Sequence, residues 1–293
     1  MLISTQTHVM CVSFGIEEGV RKLLDAGYDA LDFSFFLNLF DDAKAAGGVS
    51  FMKKLRKMAE ERGVFFNQAH APFGGGYDNY TTNLVPKFPE VFEYTAALGA
   101  KQIVVHPLQR GRYYGQEEEL FKLNMEFYNS LIPLSERTGV KICLENMWHT
   151  HPLKKTIVDD TCANPYELCK YYDALNDSKH FTVCLDIGHV ALCNREPEDA
   201  VRIIGHDRLG ALHVHDVDYA TDLHTLPGTA KVNHVEVAKA LGEIDYKGEY
   251  TLEADNFLVG FPNDYKPAAA KFMAQTARYF ANIVDQNRPQ NKK

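Results

Sequence analysis

The sequence predicts an α/β protein built as a single-domain (β/α)8 barrel, and three observations carry that expectation. Eight short apolar runs alternate with amphipathic segments along the 293 residues. Such alternation implies a parallel sheet covered by helices. Turns leading into the runs are short and several hold Gly, whereas the segments after the runs are long. Finally, four runs each end in a residue able to bind a hard divalent metal: KICLE at Glu145, FTVCLD at Asp186, LGALH at His213 and EYTLE at Glu253. The C-terminal end of the strands is where parallel barrels place their active sites.

A strand buried on both faces reads as a near-continuous apolar run. The first covers 2–6 and precedes a helix at 16–26, closed by Ala26-Gly27-Tyr28. Strand 30–33 precedes helix 49–62, which stops at Arg62-Gly63. Strand 64–69 leads to helix 86–98 and the Leu98-Gly99-Ala100 turn, and strand 102–106 to helix 117–138 and Thr138-Gly139. Gly just past a helix supplies a left-handed C-terminal cap. Strands at 141–145, 181–186, 209–215 and 248–253 alternate with helices at 165–175, 198–204, 234–244 and 264–286. The loops 70–84, 107–116, 146–164 and 216–233 all follow strands, so one face of the barrel carries the variable segments. The barrel is expected over 1–287, with 288–293 a disordered tail.

Composition narrows the function class. With 45% hydrophobic and 24% charged residues the chain is globular, and it is long enough to bury a core without staples. The net charge of −8 argues against a nucleic-acid partner, which calls for a clustered basic surface. Six cysteines form no C-x-x-C pair, and Cys143 and Cys184 fall inside predicted strands as small hydrophobes. A reducing, cytoplasmic location is expected. The N-terminus shows no signal-peptide pattern, and no apolar run is long enough to span a membrane.

Three carboxylates and one imidazole at the strand ends make a mixed oxygen and nitrogen set, suited to Mn2+, Mg2+, Co2+ or Zn2+. More polar residues follow nearby. His70 ends NQAH, His106 ends VVH, His189 follows in LDIGH, and Asp222 and His224 stand in TDLH. Each is a candidate additional metal ligand or, with Asn146, a substrate contact. The only Trp, Trp148, is a candidate wall for a sugar ring, although a loop anchor at the barrel rim fits it equally well. Arg110 and Arg112 suit an anionic group or a solvated loop. The glycines of PFGGGYDNY (72–80) lack a P-loop ending and suggest a flexible lid.

These motifs resemble the xylose isomerase-like TIM barrel superfamily, which holds sugar isomerases and epimerases, inosose dehydratase-like proteins and endonuclease IV. The matching stretches are HAPF (70–73), VVHP (104–107), LEN (144–146), LDIGH (185–189), LHVHD (212–216), DLHTLPGTA (222–230) and DYKGEYTLEAD (245–255). The resemblance implies that Glu145, Asp186, His213 and Glu253 hold one catalytic metal. His213 is preferred to His215 because the family's ligand His stands three residues before an acidic residue, here Asp216. It also implies that Glu145 and Glu253 move protons on opposite faces of the substrate, while His189 touches its oxygens. One departure stands out: related epimerases carry Arg six residues after the ligand His, and here that place is Tyr219.

The expected activity is therefore a metal-dependent isomerase or epimerase of a sugar or sugar phosphate, acting by proton transfer through an enediolate. Two alternatives use the same barrel. A dehydratase or lyase would expel a β-oxygen substituent from a keto-sugar or cyclitol. An endonuclease IV-like phosphodiesterase would hold three zincs on His70, His106, Glu145, Asp186, His189, His213, Asp222, His224 and Glu253. The expected partner is a small sugar-like molecule, and the family resemblance admits a homo-oligomer.

Overall fold

The computed structural model describes residues 1–36 and 38–291. Eight parallel strands form the barrel: β1 (Ile3–Gln6), β2 (Ala30–Ser34), β3 (Phe65–His70), β4 (Gln102–Val105), β5 (Lys141–Glu145), β6 (Phe181–Asp186), β7 (Leu209–His213) and β8 (Tyr250–Leu252). Their order around the sheet is β8–β1–β2–β3–β4–β5–β6–β7. Full ladders join every neighbouring pair but one. Between β7 and β8 the ring is closed by the single bridge Val214–Leu252. There Val214 N donates to Thr251 O at 2.9 Å, and Glu253 N donates to Val214 O at 3.0 Å.

The covering helices are α1 (Ile16–Leu24), α2 (Val49–Glu60), α3 (Phe88–Leu98), α4 (Glu117–Thr138), α5 (Pro165–Leu175), α6 (Pro197–Ile204), α7 (His234–Glu243) and α8 (Lys266–Gln286). Each buries one stripe. In α1 it is Ile16, Gly19, Val20, Leu23 and Leu24, at the spacing that lines one side of a helix. Gly99 ends α3 with φ +84, where a side chain would be strained. The main core lies between strands and helices, with Phe33, Phe66, Phe92, Phe181 and Tyr250 fully buried. A second, small layer fills the barrel itself: Val104, Cys143, Cys184 and Ala211. All six cysteines are free and buried, and no helix among the described residues is long and apolar enough to cross a membrane.

Several short elements lie outside the expected alternation, and all follow strands. They are helices His8–Phe14, Leu39–Ala45, Gly76–Asn79 and Ile187–Leu192, a π-turn at Tyr80–Leu84, and a 3-10 turn at Asp255–Leu258. Trp148–Thr150 and Ile157–Asp159 pair as an antiparallel hairpin. They occupy the face carrying the strand-end residues. At the C-terminus, Arg288 pairs with Asp245 and Asp285, and Pro289–Asn291 form a 3-10 turn. Of the tail expected to be disordered, Lys292 and Lys293 lie outside the described residues.

Candidate metal centre

Consecutive parallel strands bring their last residues to one rim, so Glu145, Asp186, His213 and Glu253 converge within 4.8 Å and all are buried. The imidazole of His213 is the hub. Its Nδ1 lies 2.6 Å from Glu145 Oε1 and 3.2 Å from Glu253 Oε2. Gln6 Nε2 donates to the other oxygen of Glu253 at 2.7 Å, which turns Oε2 toward the site. Asp186 caps the helix Ile187–Leu192 by accepting from His189 N at 2.6 Å. It also receives His215 Nε2, at 3.0 and 3.1 Å from its two oxygens.

The remaining candidates form two flanking groups. His70, His106 and Glu145 make one, and His189, His215, Asp222 and His224 the other. His106 Nε2 approaches Glu145 Oε2 to 2.9 Å, and His70 Nε2 lies 3.2 Å from His106 Nε2. His224 stacks on His215 with ring centroids 3.9 Å apart and lies 3.2 Å from Asp222. Asn146 occupies a different place from the one expected. Its Nδ2 donates to Asp186 O at 2.9 Å and its Oδ1 accepts from Asp186 N at 2.8 Å. These two bonds brace β5 against β6, and Asn146 is not among the residues lining the pocket described below.

Electrostatics separates the two glutamates. Burial pushes the Glu253 carboxyl up to about 8, with the charges of Glu145 and Asp186 adding to it against His213 and His224. Burial alone would raise Glu145 too, but the charge of His213, with the His106 and His70 imidazoles close by, holds it well below the usual carboxylate range. Burial opposes charge on His213 as well, yet the surrounding Cys184, Glu253, Glu145 and Asp32 hold its proton affinity well above normal. Burial lowers His106 to about 4, leaving it a neutral imidazole near neutral pH.

The residues fit a divalent ion. Three buried carboxylates face one another, a costly arrangement that a 2+ charge relieves. Among the described residues Glu145 Oε2 is buried without a hydrogen-bond partner, His106 being near but not aligned to donate. Cys184 also lies near Glu145 and His213, though burial pushes its thiol up to about 12 in the metal-free site, whereas the four strand-end residues offer oxygen and nitrogen donors.

A pocket of about 180 Å³ opens directly above the set, walled by Phe73, Met147 and Trp148 and floored by Glu145, Glu253 and His224. Trp148 both lines this pocket and packs on the main core, so the two readings of it coexist. Gly74 joins the wall just before the short helix Gly76–Asn79. Arg110 sits over the Tyr77 ring and Arg112 borders a separate groove along the hairpin. Tyr219, standing where related epimerases carry Arg, turns away to Glu196, 3.3 Å from its hydroxyl. Sequence reasoning missed Gln6 and Asp32, and weighed His215 only as the less favoured ligand beside His213. A charged residue inside the apolar run ALDFS was the available signal for Asp32.

Comparison with known proteins adds the family. A probable endonuclease 4 of Bacillus licheniformis is 28% identical over 176 residues, covering 55% of this chain and 55% of that one. The chain spans about half the length of the first curated relatives it matches. The structure of a D-tagatose 3-epimerase-like protein superposes with TM-score 0.75 at 20% identity, over 98% of this chain and 99% of that one. The IOLI protein with a bound zinc atom superposes with TM-score 0.70 at 16% identity, over 99% and 100%. At these identities the superpositions speak to the fold alone. Residues 20–276 match the sequence profile of the xylose isomerase-like TIM barrel, and the chain belongs to that family.

Proposed function

We propose that the chain is a divalent-metal-dependent sugar isomerase or epimerase that moves a proton next to a carbonyl, through an enediolate of the substrate. The observation that carries this reading is the pair Glu145 and Glu253. Both carboxyls meet His213 Nδ1, at 2.6 and 3.2 Å, and their proton affinities are driven apart beneath one small pocket. Paired carboxyls with opposed affinities are the arrangement that assigns one as base and the other as acid.

Glu145, Asp186, His213 and Glu253 would hold the ion, which polarises a substrate carbonyl and eases charge on its oxygen. Glu145, deprotonated, takes the proton from the carbon beside that carbonyl. Glu253, raised to about 8 in the metal-free site, is the partner placed to return one. Return to the opposite face of the same carbon is epimerisation; return to the neighbouring carbon is isomerisation. Trp148 and Phe73 cover the apolar face of a sugar ring, while His189 and His224 reach its hydroxyls. Met147 and the two aromatic walls limit access of bulk water to the reacting carbon.

The test is solvent-deuterium incorporation across a panel of ketoses and aldoses with Mn2+ supplied. Deuterium should enter at the carbon next to the carbonyl. No exchange with any sugar, together with cleavage of abasic-site DNA, overturns the proposal. That second outcome corresponds to the phosphodiesterase reading, which one observation favours: two further groups, His70–His106–Glu145 and His189–Asp222–His224, flank the central four. The purified enzyme should carry about one ion under the sugar reading and near three zincs under the nuclease reading. The net charge of −8 disfavours the polyanionic substrate.

A further inference from the structure

We infer that Asp32, from β2, is a positioning residue that fixes which nitrogen His213 offers to the metal. The inference rests on the ligand assignment proposed above and concerns a residue outside that set. Asp32 is 0% exposed and stands on the far side of His213 from the pocket-lining glutamates. Its Oδ2 lies 3.1 Å from His213 Nε2 and accepts from Gln68 Nε2 at 3.0 Å. His213 Nδ1, on the other edge of the ring, meets Glu145 and Glu253.

A neutral imidazole has one N–H and one lone pair. With an ion on Nδ1 the ring keeps a single proton, which must sit on Nε2, where the Asp32 carboxylate accepts it. Nδ1, on the edge that meets Glu145 and Glu253, then presents its lone pair to the ion. The ring is also held flat: it stacks on His70 with centroids 5.4 Å apart and 10° between planes. Rotating it by half a turn would break the Asp32 contact. A buried carboxylate is costly unless paired. Asp32 has Gln68 and His213 on one oxygen and, among the described residues, no hydrogen-bond partner on the other, so packing alone gives no reason to keep it there.

The test measures metal affinity in Asp32→Asn by competition of Mn2+ and Zn2+ against a chelator. The amide can turn its NH2 to His213, which would place the N–H on Nδ1 and block the ligand. Loss of such an outer partner weakens metal binding by about 10–100-fold, and that range is expected here. Nitrogen-15 NMR of the zinc-loaded protein should show His213 protonated at Nε2 in the wild type, with that signal lost in the variant. Gln68→Leu, which removes the brace on Asp32 together with the bond from Asn67 Nδ2 at 3.3 Å, should shift affinity the same way by less. It decides the matter if Asp32→Asn does not fold. Affinity within twofold of wild type in the folded Asp32 variant, or in Gln68→Leu when the Asp32 variant does not fold, overturns the role of Asp32. Should Glu145→Gln also leave affinity untouched, it is the ligand assignment that has failed, and this inference with it.

Discussion

Replacing Glu253 by Gln tests the proton-transfer assignment without disturbing the packing. The two side chains have nearly the same volume, and the new amide oxygen keeps the bond from Gln6 Nε2, now 2.7 Å. The amide NH2 then occupies the Oε2 position, 3.2 Å from His213 Nδ1. Two things are lost: one metal donor oxygen and one group able to exchange a proton. General acid–base groups contribute about 10²–10⁴-fold in rate. At ~1.36 kcal/mol per decade that is about 2.7–5.4 kcal/mol of barrier. Assays at saturating Mn2+ isolate the proton term from weakened metal binding. Turnover should fall within that range, while solvent exchange at the face served by Glu145 persists, because its base is intact. Wild-type turnover by the metal-saturated variant would refute the assignment.

Three further outcomes are expected. Glu253 is raised from 4.5 to about 8 and His213 is raised as well, so the folded metal-free protein holds protons that the unfolded chain has released. Stability of the EDTA-treated protein should therefore fall as pH rises from 4.5 toward 8, and Mn2+ should raise the melting temperature more at pH 8 than at pH 6; a pH-independent metal effect would contradict this. In Gly188→Ala the new Cβ would meet the buried His215 ring at 2.0 Å. Overpacking of this kind costs about 1–3 kcal/mol by urea denaturation, and a neutral result would mean the ring yields freely. Trp148→Ala should raise KM with little change in kcat, since Trp148 walls the pocket without reaching the reacting atoms; an equal loss in kcat would place it closer to the chemistry.

Much of the architecture was legible because a two-sided parallel strand must be apolar throughout. The runs around Val104, Leu144 and Val183 announce themselves, and a polar residue at their end has nowhere to go but the rim. That logic located Glu145, Asp186, His213 and Glu253 together. It missed Asp32 and Gln6 because their roles depend on partners far away in the chain, His213 and Glu253, which periodicity cannot pair. The link from Asn146 to the backbone of Asp186 was equally out of reach, since it joins residues forty positions apart. The short helix Ile187–Leu192 was hidden by its length: six residues are too few for a helical period, and its start is set by the Asp186 cap. The hairpin at Trp148 lies in a stretch too polar to read as strand.

The closure of the barrel gives the site a mechanical meaning. β7 and β8 share one bridge, at Val214 and Leu252, where other neighbours share a ladder. The candidate ligands stand immediately beside that bridge, His213 at the end of β7 and Glu253 directly after β8. An ion gripped by both would act as a clasp on the weakest joint of the ring, and a substrate bound through it would tighten the same joint. Catalysis and the integrity of the cylinder would then share a single fastening.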